Sequence, residues 1–296
     1  MSKGLLDPKV DFVFKNIFGS PNHPEILISF LNATLKAKKK IVNVDIKKTD
    51  IEKQYIEDKY SRLDVKATTS NDEIINIEIQ LKNENNMVKR SLYYLSKMYE
   101  EQLNEKEDYS KLVRTVCINI LNFKYLKTDN FHTGYRFKEI ESNEELTDIM
   151  EVHFIEIPKL QDSSDEKDML VAWTEFLKDP ESEKVRGLEL SIEEIRQAKD
   201  ELIRMSNDST QRELYDMRAN SLRDKMSELN AAERKGIEKG REEGREEGRK
   251  EGRKEGIEEG RKEEKIKIAR NMKLSGIDTN TIAKVTNLSE DEIDKL

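Results

Sequence analysis

The sequence predicts an α/β protein, with a core whose elements run α-β-β-β-α-β and a helical C-terminal extension. Three observations carry that prediction. Two apolar alternations, Leu63-Asp64-Val65-Lys66-Ala67 and Ile75-Asn76-Ile77-Glu78-Ile79-Gln80-Leu81, flank a cluster of turn formers from Thr68 to Glu73, the pattern of a β-hairpin. The nearly continuous apolar run Val113 to Leu121 reads as a buried strand. From Ser191 onward, helix signals follow one another almost to the last residue.

The first helix is expected with Asp7 as its cap, Pro8 at its first position, an apolar stripe of Val10, Phe14, Ile17 and Phe18, and Gly19 as a left-handed residue ending it. Asp11 and Lys15 lie one turn apart on that helix, where they read as an ordinary surface pair. A second helix is expected from Pro24 to Leu35, and a strand near Ile41 to Ile46. After the hairpin, Val88, Leu92, Leu95 and Tyr99 mark an amphipathic helix.

Side chains alternate along a strand, so Leu63, Val65 and Ala67 share one face with Ile75, Ile77, Ile79 and Leu81 of the partner. Asp64, Glu78 and Gln80 share the other. A hairpin centred near Asn71 sets Asp64 across from Glu78, with Cα atoms roughly 4.5–5.5 Å apart. Such a face is either the solvated side of an antiparallel sheet or a place where two carboxylates hold a hard divalent cation.

These residues resemble a known family. Asp64, the hairpin and then Glu78-x-Gln80 are similar to the PD-(D/E)XK nuclease core, a restriction-endonuclease-like fold. They are similar in particular to its branch of recombination-promoting, transposase-like nucleases, in which Gln stands where most relatives have Lys. Asp7 to Gly19, the stretch Met87 to Arg90 with Tyr93-Tyr94, His153 to Leu160, and the Gly-rich charged tail resemble the same branch.

The resemblance implies a Mg²⁺-dependent DNA endonuclease, with Mn²⁺ as a possible substitute, in which Asp64 and Glu78 hold the metal and Gln80 orients water or phosphate. Gln80 cannot supply the positive charge of the usual lysine. By strand parity Lys82 lies on the same face one step further, and Lys15 is a candidate on the first helix. Arg90, at the start of the helix after the hairpin, could clamp a phosphate with two N–H groups. Asp11 could approach the metal through water.

Composition sets the outer limits. The 296 residues are 39% charged and 35% hydrophobic, a surface-heavy, helix-rich balance. The chain has no run of 18 apolar residues and no signal-like start, so a cytoplasmic protein without membrane contact is expected. Cys117 reads as a lone buried thiol, and His23, His132 and His153 are scattered without ligand spacing. Residues 233–265 hold 12 acidic and 12 basic residues, and 266–296 hold 5 of each, so the net charge of −8 belongs to residues 1–232. An acidic domain gains little general affinity for phosphates.

Ser191-Ile192-Glu193-Glu194 reads as a capping box that opens a helical extension. Glycines then recur every four residues from Gly236 to Gly260, separated mainly by Arg, Lys and Glu. A period of four overruns the 3.6-residue turn by about 40° per repeat, so the glycines form no straight stripe, and a frayed helical tether is expected. The last thirty residues resemble a helix-turn-helix: helices at Ile266 to Leu274, Thr279 to Val285 and from a Ser289 cap to Leu296, with Ile268, Leu274, Ile277, Ile282, Val285, Leu288 and Ile293 buried together.

The expected organisation is a nuclease-like domain at 1–190, a helical extension at 191–232, a Gly/charged tether at 233–265 and a small helical module at 266–296, with DNA as partner and a homodimer through the helical region. The competing reading is a non-enzymatic scaffold: a degenerate nuclease fold that binds nucleic acid or protein. No Gly-rich phosphate loop follows a strand, which argues against a small-nucleotide phosphohydrolase.

Overall fold

The computed structural model describes residues 4–37, 39–47, 65–165 and 167–296, and Leu63 and Asp64 lie outside the described residues. Contacts divide the chain into two compact units, Met1–Arg223 and Asp224–Leu296.

In the first unit, helices α1 (Asp11–Phe18) and α2 (Pro24–Leu35) precede strands β1 (Val44–Lys47), β2 (Val65–Thr69) and β3 (Ile74–Gln80). Helix α3 (Met87–Glu100) leads to β4 (Thr115–Leu121), and β5 (His132–Lys138) and β6 (Glu145–Glu156) form the second hairpin. Helices α4 (Met169–Lys178), α5 (Glu183–Glu189) and α6 (Glu193–Asn207) follow, and then α7 (Ser209–Leu274). The described strands form one mixed sheet in the order β1-β2-β3-β4-β6-β5. The fold is therefore the expected α/β nuclease-type core with a long helical extension.

Hairpin β2–β3 takes the register expected for a turn centred on Asn71, with Val65 opposite Ile77 and Lys66 opposite Asn76. The α3 crossover lays β4 parallel to β3, with Glu78 beside Asn119. A parallel pair joined this way is covered on both faces, which is why Thr115–Leu121 is buried throughout. One face carries Ile75, Ile77, Ile79, Val116, Ile118, Ile120 and Ile155 into a core shared with α1, α2, α4 and α6. On the other, Met87 and Leu95 of α3 meet Cys117, Leu121, Val152 and Phe154.

Several local expectations are corrected. Helix α1 begins at Asp11, because Asp7 instead closes a turn: its Oδ1 accepts from Lys9 N at 2.9 Å and its carbonyl from Val10 N at 3.1 Å. Gly19 has φ −102°, not a left-handed value. It is needed for close approach, since a Cβ there would lie 2.6 Å from the Lys15 carbonyl and 3.3 Å from Val65 Cγ2. On α3 the buried stripe is Met87, Ser91, Tyr94, Leu95 and Met98, while Val88 and Leu92 face solvent. A buried serine, held by Asn119, shifted that stripe. Ser191 forms no capping box: Ile192 is the N-cap of α6, and the Ser191 hydroxyl donates to the Leu188 carbonyl at 3.2 Å.

In the second unit, α8 (Thr279–Thr286) and α9 (Glu290–Asp294) fold against the end of α7 around Ala269, Ile282, Leu288 and Ile293. Gly276 at φ +81° makes the first turn, and Ser289 with Glu292 forms the expected capping box. The expected core is corrected in part. Ile268, Leu274, Ile277 and Val285 are exposed, and Ile266, Ala269 and Met272 face inward, so the apolar stripe of α7 lies on a different side of the helix. Residues 233–265 are continuous helix within α7, not a frayed segment, although each glycine costs about 1 kcal/mol against alanine. Ion pairs Lys250–Glu246 at 2.8 Å and Lys239–Glu243 at 3.6 Å oppose that cost.

Phe18 anchors the larger core, stacked on Phe14 at 4.6 Å and edge-on to Trp173 at 5.3 Å and Phe30 at 5.4 Å. Phe18→Ala is expected to cost about 3–5 kcal/mol, read as a lower urea midpoint.

Candidate active site

Glu78 lies on a central strand and has no exposed surface. The α3 helix covers it because the loop after β3 returns the chain across that face, and the first turns of α3 carry Arg90 and Ser91. Arg90 Nε donates to Glu78 Oε2 at 3.2 Å, and the guanidinium lies 5.3 Å over the Tyr94 ring. Ser91 Oγ lies 2.8 Å from the Met87 carbonyl and 2.9 Å from Asn119 Oδ1. Asn119 Nδ2 donates to the His153 carbonyl at 3.1 Å. The strand neighbour of Glu78 is thereby locked.

Glu78 itself is only half satisfied. Among the described residues its Oε1 has no hydrogen-bond partner, and neither do Oδ1 and Nδ2 of Asn76, two residues earlier on the same face. Burial raises the Glu78 pKa; the Arg90 charge and hydrogen bond, and the neighbouring Asn76 amide, oppose that rise without cancelling it. Burial also pushes the Cys117 thiol up to about 12, so it is an inert neighbour rather than a nucleophile.

The other expected site residues are spread around this centre. Gln80, half-buried, ends β3, and its carbonyl accepts from Asn122 N at 2.9 Å. Lys82 is partly exposed in the following loop. Lys15 is partly buried on α1, whose end abuts Val65 through Gly19. Asp11 faces α7, with its Oδ2 3.1 Å from Arg218 Nη1. Arg90 engages Glu78. Asp64, the residue before β2, falls outside the described residues.

Sequence reasoning passed over Asn76, Ser91 and Asn119. The usable signal was an amide inside each of two apolar strands, at the parity of Glu78. It also treated the histidines as scattered, whereas β5 and β6 bring two together on the opposite face. His132 Nε2 lies 2.9 Å from His153 Nδ1, and His153 Nε2 lies 2.7 Å from Glu151 Oε1. Arg114 and Arg136 also pair with Glu151, and Arg114 bridges on to Glu73. Burial would raise the Glu151 pKa, but His153 and Arg114 outweigh it and draw the carboxyl down to about 2. Glu151 is therefore ionised and accepts from His153 Nε2–H. A hydrogen bond joins His153 Nδ1 to His132 Nε2, its donor set by the tautomer of the pair.

An α-β-β-β-α-β core with a long helical extension is consistent with an α/β nuclease fold. Residues 8–232 match the family described as PD-(D/E)XK nuclease family transposase, and the chain belongs to that family. Residues 262–296 match the Rpn/YhgA-like nuclease family C-terminal HTH domain, a domain type that suggests DNA binding. No curated protein and no solved structure matches the chain. No described helix is long and apolar enough to cross a membrane.

Burial, and then the neighbouring His153, hold the His132 pKa at about 4, below its ordinary 6.5. Folding thus favours the neutral ring. Stability from this source is complete above about 6.5 and is lost as the pH falls toward 4, whereas that from Glu151 is lost lower, between 4.5 and about 2. Urea midpoints are expected to drop between pH 6.5 and 4 in the parent and to drop less in His132→Asn.

Proposed function

We propose that this chain is a Mg²⁺-dependent DNA endonuclease, with Mn²⁺ as a substitute, in which Asp64 and Glu78 hold the metal. The observation that carries the reading is Glu78: a fully buried carboxylate with one oxygen lacking a partner among the described residues. A structural carboxylate at that depth would be expected to have both oxygens satisfied. An all-oxygen donor set of this kind suits a hard cation. The reading requires Asp64 to lie opposite Glu78, as a hairpin continued one step beyond the Val65–Ile77 pair would have it.

A bound Mg²⁺ supplies charge stabilisation at the phosphoryl oxygens and lowers the pKa of a coordinated water. The chain supplies the rest. The Gln80 amide accepts a hydrogen bond from the attacking water or donates one to a phosphate oxygen. Only the Nε–H of Arg90 is engaged by Glu78, which leaves the terminal N–H groups to clamp a phosphate. Lys82 and Lys15 are the candidates for the charge that Gln80 lacks, and Asp11 for an outer water contact.

The acidic balance of residues 1–232 assigns much of the DNA contact to the C-terminal module, whose last two helices carry only Lys284 and Lys295. Cuts made by the core would then promote recombination, in a cytoplasmic protein divided as 1–190, 191–232, 233–265 and 266–296. A homodimer through α7 fits a helix that is charged all round and glycine-bearing, because such a helix gains little from its own packing. The second reading, a scaffold that binds DNA or protein without cutting, draws on the Gln in the lysine position.

Plasmid nicking under Mg²⁺ titration tests the choice. The parent is expected to nick DNA, and Asp64→Ala and Glu78→Ala to lose roughly 10²-fold or more. Equal nicking by all three excludes the assigned site, and DNA binding with no nicking by the parent favours the scaffold. Molar mass by light scattering is expected to be twice the chain mass, and after removal of residues 224–296 to equal the mass of one shortened chain.

A further inference from the structure

Three buried polar atoms on one face of β3 have no hydrogen-bond partner among the described residues: Glu78 Oε1, Asn76 Oδ1 and Asn76 Nδ2. Asn76 has no exposed surface. The pleat sets it on the Glu78 face, with Lys66 opposite in β2 and Cys117 beside it in β4. An apolar side chain would suit the covered position next to Cys117 better, since a buried amide with neither end satisfied weakens the fold. Arg90 engages Oε2 of the carboxylate, and Oε1 is left without a partner among the described residues.

We propose that Asn76 is a positioning residue for Glu78: its Nδ2–H bonds to one lone pair of Oε1, the oxygen that Arg90 leaves open, and so aims the other lone pair at a divalent cation. This inference rests on the reading of Glu78 as a metal ligand. The amide and the carboxylate share one covered face of β3, two residues apart, and neither Glu78 Oε1 nor the Asn76 amide has a partner among the described residues. A ligating carboxylate held by such an outer hydrogen bond binds metal more tightly, typically by about 10–100-fold.

Two nearly isosteric substitutions separate this role from simple packing. Asn76→Val removes the donor, and Asn76→Thr restores a hydroxyl in nearly the same shape. Mn²⁺ affinity is measured by calorimetry on the full chain, with the urea midpoint of each variant in the absence of metal. The expected result is about tenfold or greater weakening in the Val variant, partial recovery in the Thr variant, and midpoints for both at or above the parent's. Val and Thr variants that both bind Mn²⁺ within twofold of the parent overturn the role of Asn76 and leave Glu78 as a ligand. A parent that binds no Mn²⁺ overturns the ligand reading and this inference with it. Should the Val variant fail to fold, the Thr variant decides: an affinity as low as that of Glu78→Ala overturns a donor role.

Discussion

The rest of the structure is arranged around a carboxylate held out of water on a central strand. Removing a carboxylate from water costs several kcal/mol even after the surroundings relax, and a single cation on one oxygen offsets only part of that. Glu78 is in this position because the β3-α3-β4 crossover that makes a parallel pair also lays α3 over its face. Burial of the acid and formation of the parallel sheet are one event. Ser91 and Asn119 anchor the helix over the site, and among the described residues Arg90 brings the charge that pairs with the acid.

The two faces of the sheet treat a buried glutamate in opposite ways. Glu151 meets Arg114, Arg136 and His153, and its pKa falls to about 2. Glu78 meets one arginine, and its pKa rises. A fully paired acid ties β6 to its neighbours and has little capacity left for a ligand. An under-paired acid can still gain from a cation. The Glu151 network also draws in the histidine pair, and folding favours the neutral His132 ring, so that edge of the sheet is sensitive to mild acid.

The second unit follows different rules. Its small core of Ala269, Ile282, Leu288 and Ile293 is closed by a tight turn at Gly276 and a capping box at Ser289, both local devices. The charged part of α7 has neither core nor cap and depends on side-chain pairs one turn apart, which are individually weak and screened by salt.

Local chemistry was legible in the chain itself. Pro24 at a helix start, turn formers centred on Asn71, alternation in 75–81, the apolar run to Leu121 and Gly276 after the last apolar residue of α7 each specify an element through backbone sterics or side-chain period. The hairpin register and the parity of Glu78 and Gln80 followed from the same period of two. What the chain could not declare was which polar residues would be enclosed. A strand with alternating polar residues reads the same whether its second face is wet or covered, and only the placement of α3 enclosed Asn76, Glu78 and Asn119. The shifted stripes of α3 and the end of α7, and the pairing of His132 with His153, were likewise decided by contacts between segments far apart in sequence, because burial belongs to the packed assembly of elements and not to any one of them.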